Sequence, residues 1–356
     1  MWLSTTMCVL ASMLSAQQKA PTGPVVDGAL GQALDAHMSG LDQDSGGFYG
    51  AALVAVGGKI VLEKGYGIAD VDSKSPIAQD AIFDWASVSK QFTAAAVLKL
   101  EMQKKLTIGD TLEKHFKKQV PKDKQAITLQ MMLTHTSGLE KGFSAEWKWD
   151  PSSRDSLFEL VLGLPLTSEP GEKFEYNNTP YGFLAGLVER VSKRTFEDYC
   201  IEQLFRPAGM QSASFIGHES LDQKRVPRDD RGQGAPFPYG PVLTWGYRGC
   251  GGVMASVHDM YLWDRALRGD KVLSSPAKTK YFTPAKEGYA LGWYVGQDAG
   301  ATRIEHGGDT RNTTCYFGRW IEPDVVVAIA YTYKPKVYKF ETGRALAKLA
   351  REFKGK

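Results

Sequence analysis

Apolar runs of β-strand length stand at the two ends of this 356-residue chain, and helical periodicity fills the stretch between them. Near the start, residues 49–56 and 59–67 flank Gly57-Gly58. Paired glycines between two apolar runs are a strong hairpin signal, because both turn positions need positive φ. Near the end, residues 289–295, 302–306, 313–317 and 325–331 follow one another too closely for crossover helices, so they read as an antiparallel meander. Helical spacing marks residues 29–41, the run after Lys90, 127–133, 181–191, 196–205, a segment capped by Ser256 and Asp259, and 340–353. The economical solution is an α+β fold. One antiparallel sheet is built from both chain ends and packed by helices, beside a mostly helical lobe.

Composition narrows the function. Lys and Arg number 43 against 40 Asp and Glu, a net charge of +3, which gives no case for nucleic acid or an anionic membrane surface as partner. No apolar run reaches the ~18 residues of a membrane span. Residues 7–16 form a short apolar core ending in small residues, ahead of the first charge at Lys19. This pattern predicts a signal peptide over 1–16, cut near Ala16, although no basic residue precedes the core and Leu14 stands where a small residue is preferred. A tether over 17–27, with Pro21 and Pro24, then leads into a single domain over 28–356. The protein is therefore expected to be periplasmic or secreted. Cys200, Cys250 and Cys315 would remain, enough for one bridge at most and equally compatible with three reduced side chains. Asp42-Gln43-Asp44-Ser45-Gly46 lacks the closing Glu of a calcium loop and reads as a turn, and nothing else calls for a metal or cofactor.

The chemistry centres on Ser87-Val88-Ser89-Lys90. Three residues apart on a helix, the hydroxyl and the ammonium share a face. A serine attacks a carbonyl only when a neighbour takes its proton, and a lysine in a partly dry pocket can do so directly or through a second base. Ser87 also opens a helix, where free N–H groups favour a developing oxyanion. Taken alone, the pattern equally describes a capping serine and a solvated lysine. A second copy, Ser275-Pro276-Ala277-Lys278, reads as a turn or a single helical turn without chemistry.

Further blocks accompany it: Leu133-Thr134-His135-Thr136-Ser137-Gly138-Leu139, Pro170-Gly171-Glu172, Tyr176-Asn177-Asn178, Leu291-Gly292-Trp293 and His306-Gly307-Gly308. In this order the chain resembles the serine beta-lactamase and penicillin-binding-protein superfamily, nearest its class C lactamase, D-Ala-D-Ala carboxypeptidase and esterase branch. The resemblance implies a beta-lactamase/transpeptidase-like fold and a serine hydrolase that forms an acyl-enzyme on a small-molecule or peptide substrate: a D-Ala-type peptide, a beta-lactam or a small ester. It makes Ser87 the nucleophile, with Lys90 lowering the pKa of Tyr176 so that the phenolate serves as base. Asn178 would donate to substrate or to Lys90. His306, Gly307, Gly308 and Asp309 would line the substrate, the glycines by letting it approach the strand, and the N–H groups of Ser87 and Asp309 would form the oxyanion hole. His306 stands where the lactamases carry lysine, which argues against efficient beta-lactam hydrolysis. The Asp309 carboxylate would repel an anionic substrate terminus unless Arg311 or another cation offsets it. His135 reads as an internal hydrogen-bonding residue. Trp147 and Trp149 read as loop aromatics packed over the core, or as rims of a pocket. The rival to an enzyme is a catalytically silent relative that binds peptide-like ligands or serves as a scaffold.

Overall fold

The computed structural model describes residues 22–41, 47–70, 72–141, 153–228, 240–332 and 339–354. The expected signal peptide, residues 17–21 of the tether, the 42–46 turn and the two loop tryptophans lie outside these segments.

Both chain ends do enter one sheet. Strands β1 (Val25–Val26), β2 (Gly50–Val56) and β3 (Lys59–Tyr66) come from the start. Strands β4 (Tyr294–Asp298), β5 (Ala301–Asp309), β6 (Thr314–Trp320) and β7 (Val325–Tyr331) come from the end. Their order is β1-β3-β2-β7-β6-β5-β4, antiparallel at every step. The seam is β2 against β7, in register from Gly50↔Tyr331 to Val56↔Val325. The Gly57-Gly58 hairpin forms with φ of 57° and 79°, values open to glycine at no steric cost.

These central strands are apolar throughout because both faces are covered. Leu53, Ala55, Val326 and Ala328 face the main core with the central helices, while Ala52, Val54, Val327 and Ile329 face α1 (Gly28–Ser39) and α7 (Lys339–Glu352). Along each strand successive residues alternate between the two cores, as a pleated strand requires. On the main-core side α2 (Lys90–Met102) is buried nearly all round, against α5 (Thr179–Ser192) and Trp263 of α6 (Val257–Arg268). The helical lobe closes around Phe116, Phe158 and Phe183, whose ring centroids lie 4.8–4.9 Å apart, with α4 (Arg154–Gly163) against α5. The expected Ser256/Asp259 capping box starts α6.

Two expectations are corrected. Residues 289–293 are not strand: Gly292 has φ 81°, and a Cβ there would lie 2.8 Å from Gln91 Cα, so this segment packs on the start of α2 instead. The helix over 196–205 is α-helical only to Cys200 and widens to a π-helical turn over Ile201–Phe205. Cys200, Cys250 and Cys315 are all reduced and buried.

Candidate active site

The nucleophile turn is set by a short edge pairing. Phe83–Asp84 pairs with Val253–Ala255, and Trp85 is pinned beside it, its backbone N–H donating to Val253 O at 2.8 Å and its indole to Ala255 O at 2.9 Å. Ala86 then adopts φ 42°, an unfavourable value for a residue with a Cβ. The buried Asp84 carboxylate holds it there, accepting from Ala86 N at 2.8 Å and from the Tyr247 hydroxyl at 2.8 Å. Burial pushes that carboxyl up to about 6, against the pull of those hydrogen bonds. One 3₁₀ turn, Ala86–Ser89, carries Ser87 into α2.

Lys90, fully buried, donates to Ser87 Oγ at 3.0 Å and to Cys250 O at 3.2 Å. Its ammonium lies 4.8 Å from the centroid of the Tyr176 ring and 5.6 Å from that of Tyr181. Desolvation lowers its pKa to about 8. Tyr176 shares a hydrogen bond with Ser87, so the serine hydroxyl stands between amine and phenol. The three groups meet as the sequence implied, but the proton balance is the reverse of that expected. Burial raises the Tyr176 phenol above its ordinary value, and the Ser87 hydrogen bond offsets only part of the rise. Lys90 does not make Tyr176 a phenolate.

The far wall is β5. Its partner β4 covers only residues 301–305, so the edge from 306 to 309 runs free along a cleft of about 640 Å³. Ser87, Tyr176, Tyr294, His306, Asp309 and Lys339 line it. His306 is neutral there, its pKa pushed down to about 3 by burial and by the Lys90 charge. Both its nitrogens are engaged: Nδ1 donates to Gly307 O at 2.7 Å, which leaves Nε2 to accept from the Tyr289 hydroxyl at 3.2 Å.

Gly307 and Gly308 line the cleft, and both are also needed for packing. A Cβ on Gly308 would lie 2.8 Å from Ser87 N, and one on Gly307 would lie 2.8 Å from Lys339 Cε and 2.9 Å from the Phe340 ring. One glycine seats the nucleophile turn against the strand, and the other lets Lys339 cross it. Lys339 pairs with Asp309, which also accepts from Thr314 Oγ1 at 2.9 Å. The offsetting cation is thus Lys339, not Arg311.

Asn178 is the N-cap of α5 and is not among the residues that line the cleft, and its buried Oδ1 has no partner among the described residues. Its neighbour Asn177 does the anchoring, through Nδ2 to Leu139 O at 2.8 Å and to Glu140 O at 3.1 Å. His135 is an internal hydrogen-bonding residue, as expected: its Nδ1 accepts from Asn177 N at 3.2 Å. Sequence reasoning gave no role to Asp84, Tyr289 or Lys339. Asp84 was within reach, since a carboxylate two residues before a strained turn is a natural acceptor for its N–H groups. Lys339 carried no signal, because only the packing of α7 against the sheet brings it to β5.

A serine, a buried lysine and a tyrosine converging at a free strand edge, on a sheet closed from both chain ends, define the serine beta-lactamase and penicillin-binding-protein class. The family model described as Beta-lactamase matches residues 32–351, and the chain belongs to that family. Among curated relatives, PbpX of Bacillus subtilis (strain 168), by name a penicillin-binding protein, is 33% identical over 256 residues, 70% of this chain and 62% of its own length. Protein flp of Staphylococcus aureus (strain MRSA252) is 26% identical over 276 residues, 72% of this chain and 54% of its own. The chain thus spans a little over half the length of these relatives. Among solved structures, D-amino acid amidase from Ochrobactrum anthropi SV3, complexed with D-phenylalanine, superposes with a TM-score of 0.77 at 18% identity, covering 92% of this chain and all of that one. The octameric penicillin-binding protein homologue from Pyrococcus abyssi gives 0.72 at 24% identity, over 90% of this chain and 76% of that one. No described helix is long and apolar enough to cross a membrane.

Proposed function

We propose that this protein is a serine hydrolase that cleaves an amide or ester through an acyl-enzyme on Ser87. The observation that carries the reading is the 3.0 Å contact between Ser87 Oγ and a buried Lys90 whose pKa is lowered to about 8. Neutral Lys90 is the base available beside Ser87, because Tyr176 keeps its own proton. The serine oxygen bonds to the carbonyl carbon as its proton passes to Lys90 Nζ. The oxyanion forms against the N–H groups of Ser87 and Asp309. Tyr176, neutral and adjacent, gives its proton to the leaving group as the bond to it breaks, and Lys90 passes on to Tyr176 the proton it took from Ser87. Water then adds to the acyl carbon while giving one proton to Lys90, and the bond to Ser87 breaks as Lys90 returns that proton to Ser87 Oγ.

A neutral His306 with both nitrogens occupied brings no positive charge to the strand edge, which favours a small ester or neutral amide over substrates with an anionic terminus, beta-lactams and D-Ala peptides alike. A catalytically silent binder would have no use for a lysine kept desolvated at a cost in stability. A fluorophosphonate or fluorescent penicillin should label wild type at Ser87 and leave Ser87→Ala unlabelled. Rates with nitrocefin, a p-nitrophenyl ester and a D-Ala-D-Ala peptide would then rank the substrates. No adduct with either probe, and no turnover, would establish the silent reading instead.

A further inference from the structure

His135 is a buried titratable group packed behind Tyr176 to which the mechanism above gives nothing to do. It is 2% exposed, in a turn where its own φ is 58°. Burial, with the nearby Lys90 charge, holds its pKa well below the ordinary value, so the imidazole is neutral. Three of its contacts bracket Tyr176. Glu175, just before the tyrosine, donates its N–H to the His135 carbonyl at 2.8 Å. Asn177, just after it, donates its N–H to His135 Nδ1 at 3.2 Å. Between those two bonds the imidazole lies against the phenol ring itself, centroid to centroid 4.4 Å. Tyr289, at 4.6 Å, and Tyr181, at 5.2 Å, pack on the same imidazole. Because Nδ1 accepts, the ring proton sits on Nε2, which has no partner in the described structure. An orphaned donor in a dry aromatic box is unfavourable, and the fold keeps it together with the Nδ1 acceptor that Asn177 N–H requires.

We propose that His135 is a positioning residue for Tyr176, fixing the phenol against Ser87 by clasping the backbone on both sides of it and flooring its ring. This rests on the reading of Tyr176 as the proton donor to the leaving group. A phenol displaced by 1 Å loses about 10²-fold in rate. That loss falls where the leaving group needs a proton and spares one that leaves without help, such as p-nitrophenolate.

The test is a double-mutant cycle with His135→Asn, Tyr176→Phe and the pair. Asparagine keeps an acceptor near the Nδ1 position, tolerates positive φ and removes the ring. His135→Phe keeps the ring and removes the acceptor, and separates the two contributions if it folds. Each protein is assayed on an anilide and on the p-nitrophenyl ester of the same acyl group, with melting temperature recorded. His135→Asn should lower kcat on the anilide 10–100-fold, with KM little changed and the ester within threefold. The same substitution should change the Tyr176→Phe enzyme less than twofold on either substrate. Equal losses on both substrates, or an undiminished effect in the Tyr176→Phe background, would overturn the assignment and leave the hydrolase reading standing. A wild-type protein that turns over neither substrate and takes no label at Ser87 would overturn both.

Discussion

Lys90 carries the largest electrostatic contradiction in the molecule: a side chain that prefers water, held dry so that it can work. Its folded-state pKa of about 8 lies below the ordinary 10.5. Between those values the unfolded chain holds more protons, so this group's contribution to stability rises with pH through that window, and its full cost is present below about 8. Lys90→Met should therefore abolish turnover while stabilising the fold at pH 7 by up to about 3 kcal/mol, seen as a higher denaturation midpoint. In wild type, kcat/KM should climb with pH and level off above an apparent pKa near 8, and a profile already flat from pH 6 would remove Lys90 from the role of base. Asp84 has the opposite sign. Its pKa of about 6 lies above the ordinary 3.8, so the folded state holds the proton more tightly and stability from this group falls as pH rises from about 4 to 6. Asp84→Asn should erase that slope in urea titrations across this range. Asp84→Ala, which strips the acceptor from Ala86 N and Tyr247, should cost most at low pH, about 2–4 kcal/mol, and less above about pH 6.

At the scale of elements, the cleft exists because a strand and a helix entry touch through a missing side chain. Gly308 of β5 abuts Ser87 N and Ala86 Cβ, backbone against a strained turn, with Cys315 Sγ on the third side. Gly307, one residue earlier, faces the far end of Lys339 and the edge of Phe340. Gly308→Ala should therefore push the nucleophile turn away from the strand and cut kcat at least 100-fold. Gly307→Ala should be milder, because a lysine end can swing aside. The pair of kcat values, with melting temperatures, decides it, and comparable losses would refute this account of the contact. The glycine run and its place along the cleft are legible in the sequence. Its packing against the nucleophile turn and Lys339 is not, because a strand has two faces and the sequence does not say what packs on each.

In the whole molecule, the last strand is held by the second. β2 and β7 are adjacent in the sheet although some 270 residues separate them along the chain, and each is covered on both faces. Loop closure over that distance is costly, so this seam should form late and open only with global unfolding. Hydrogen exchange should find the amides of Val54 and Val327 protected to the same free energy, the highest in the protein, and an early loss of either strand alone would contradict this. The sequence by itself determined the strands at both ends, the hairpin glycines, the caps and the identity of the reacting groups, since these depend on local periodicity and on which side chains can do the chemistry. Only the tertiary structure decided which of those groups keeps its proton, which face of each glycine is filled and which cation reaches Asp309. Those depend on desolvation and on contacts between segments far apart in the chain, and a pKa belongs to an environment that does not exist until the chain has closed around it.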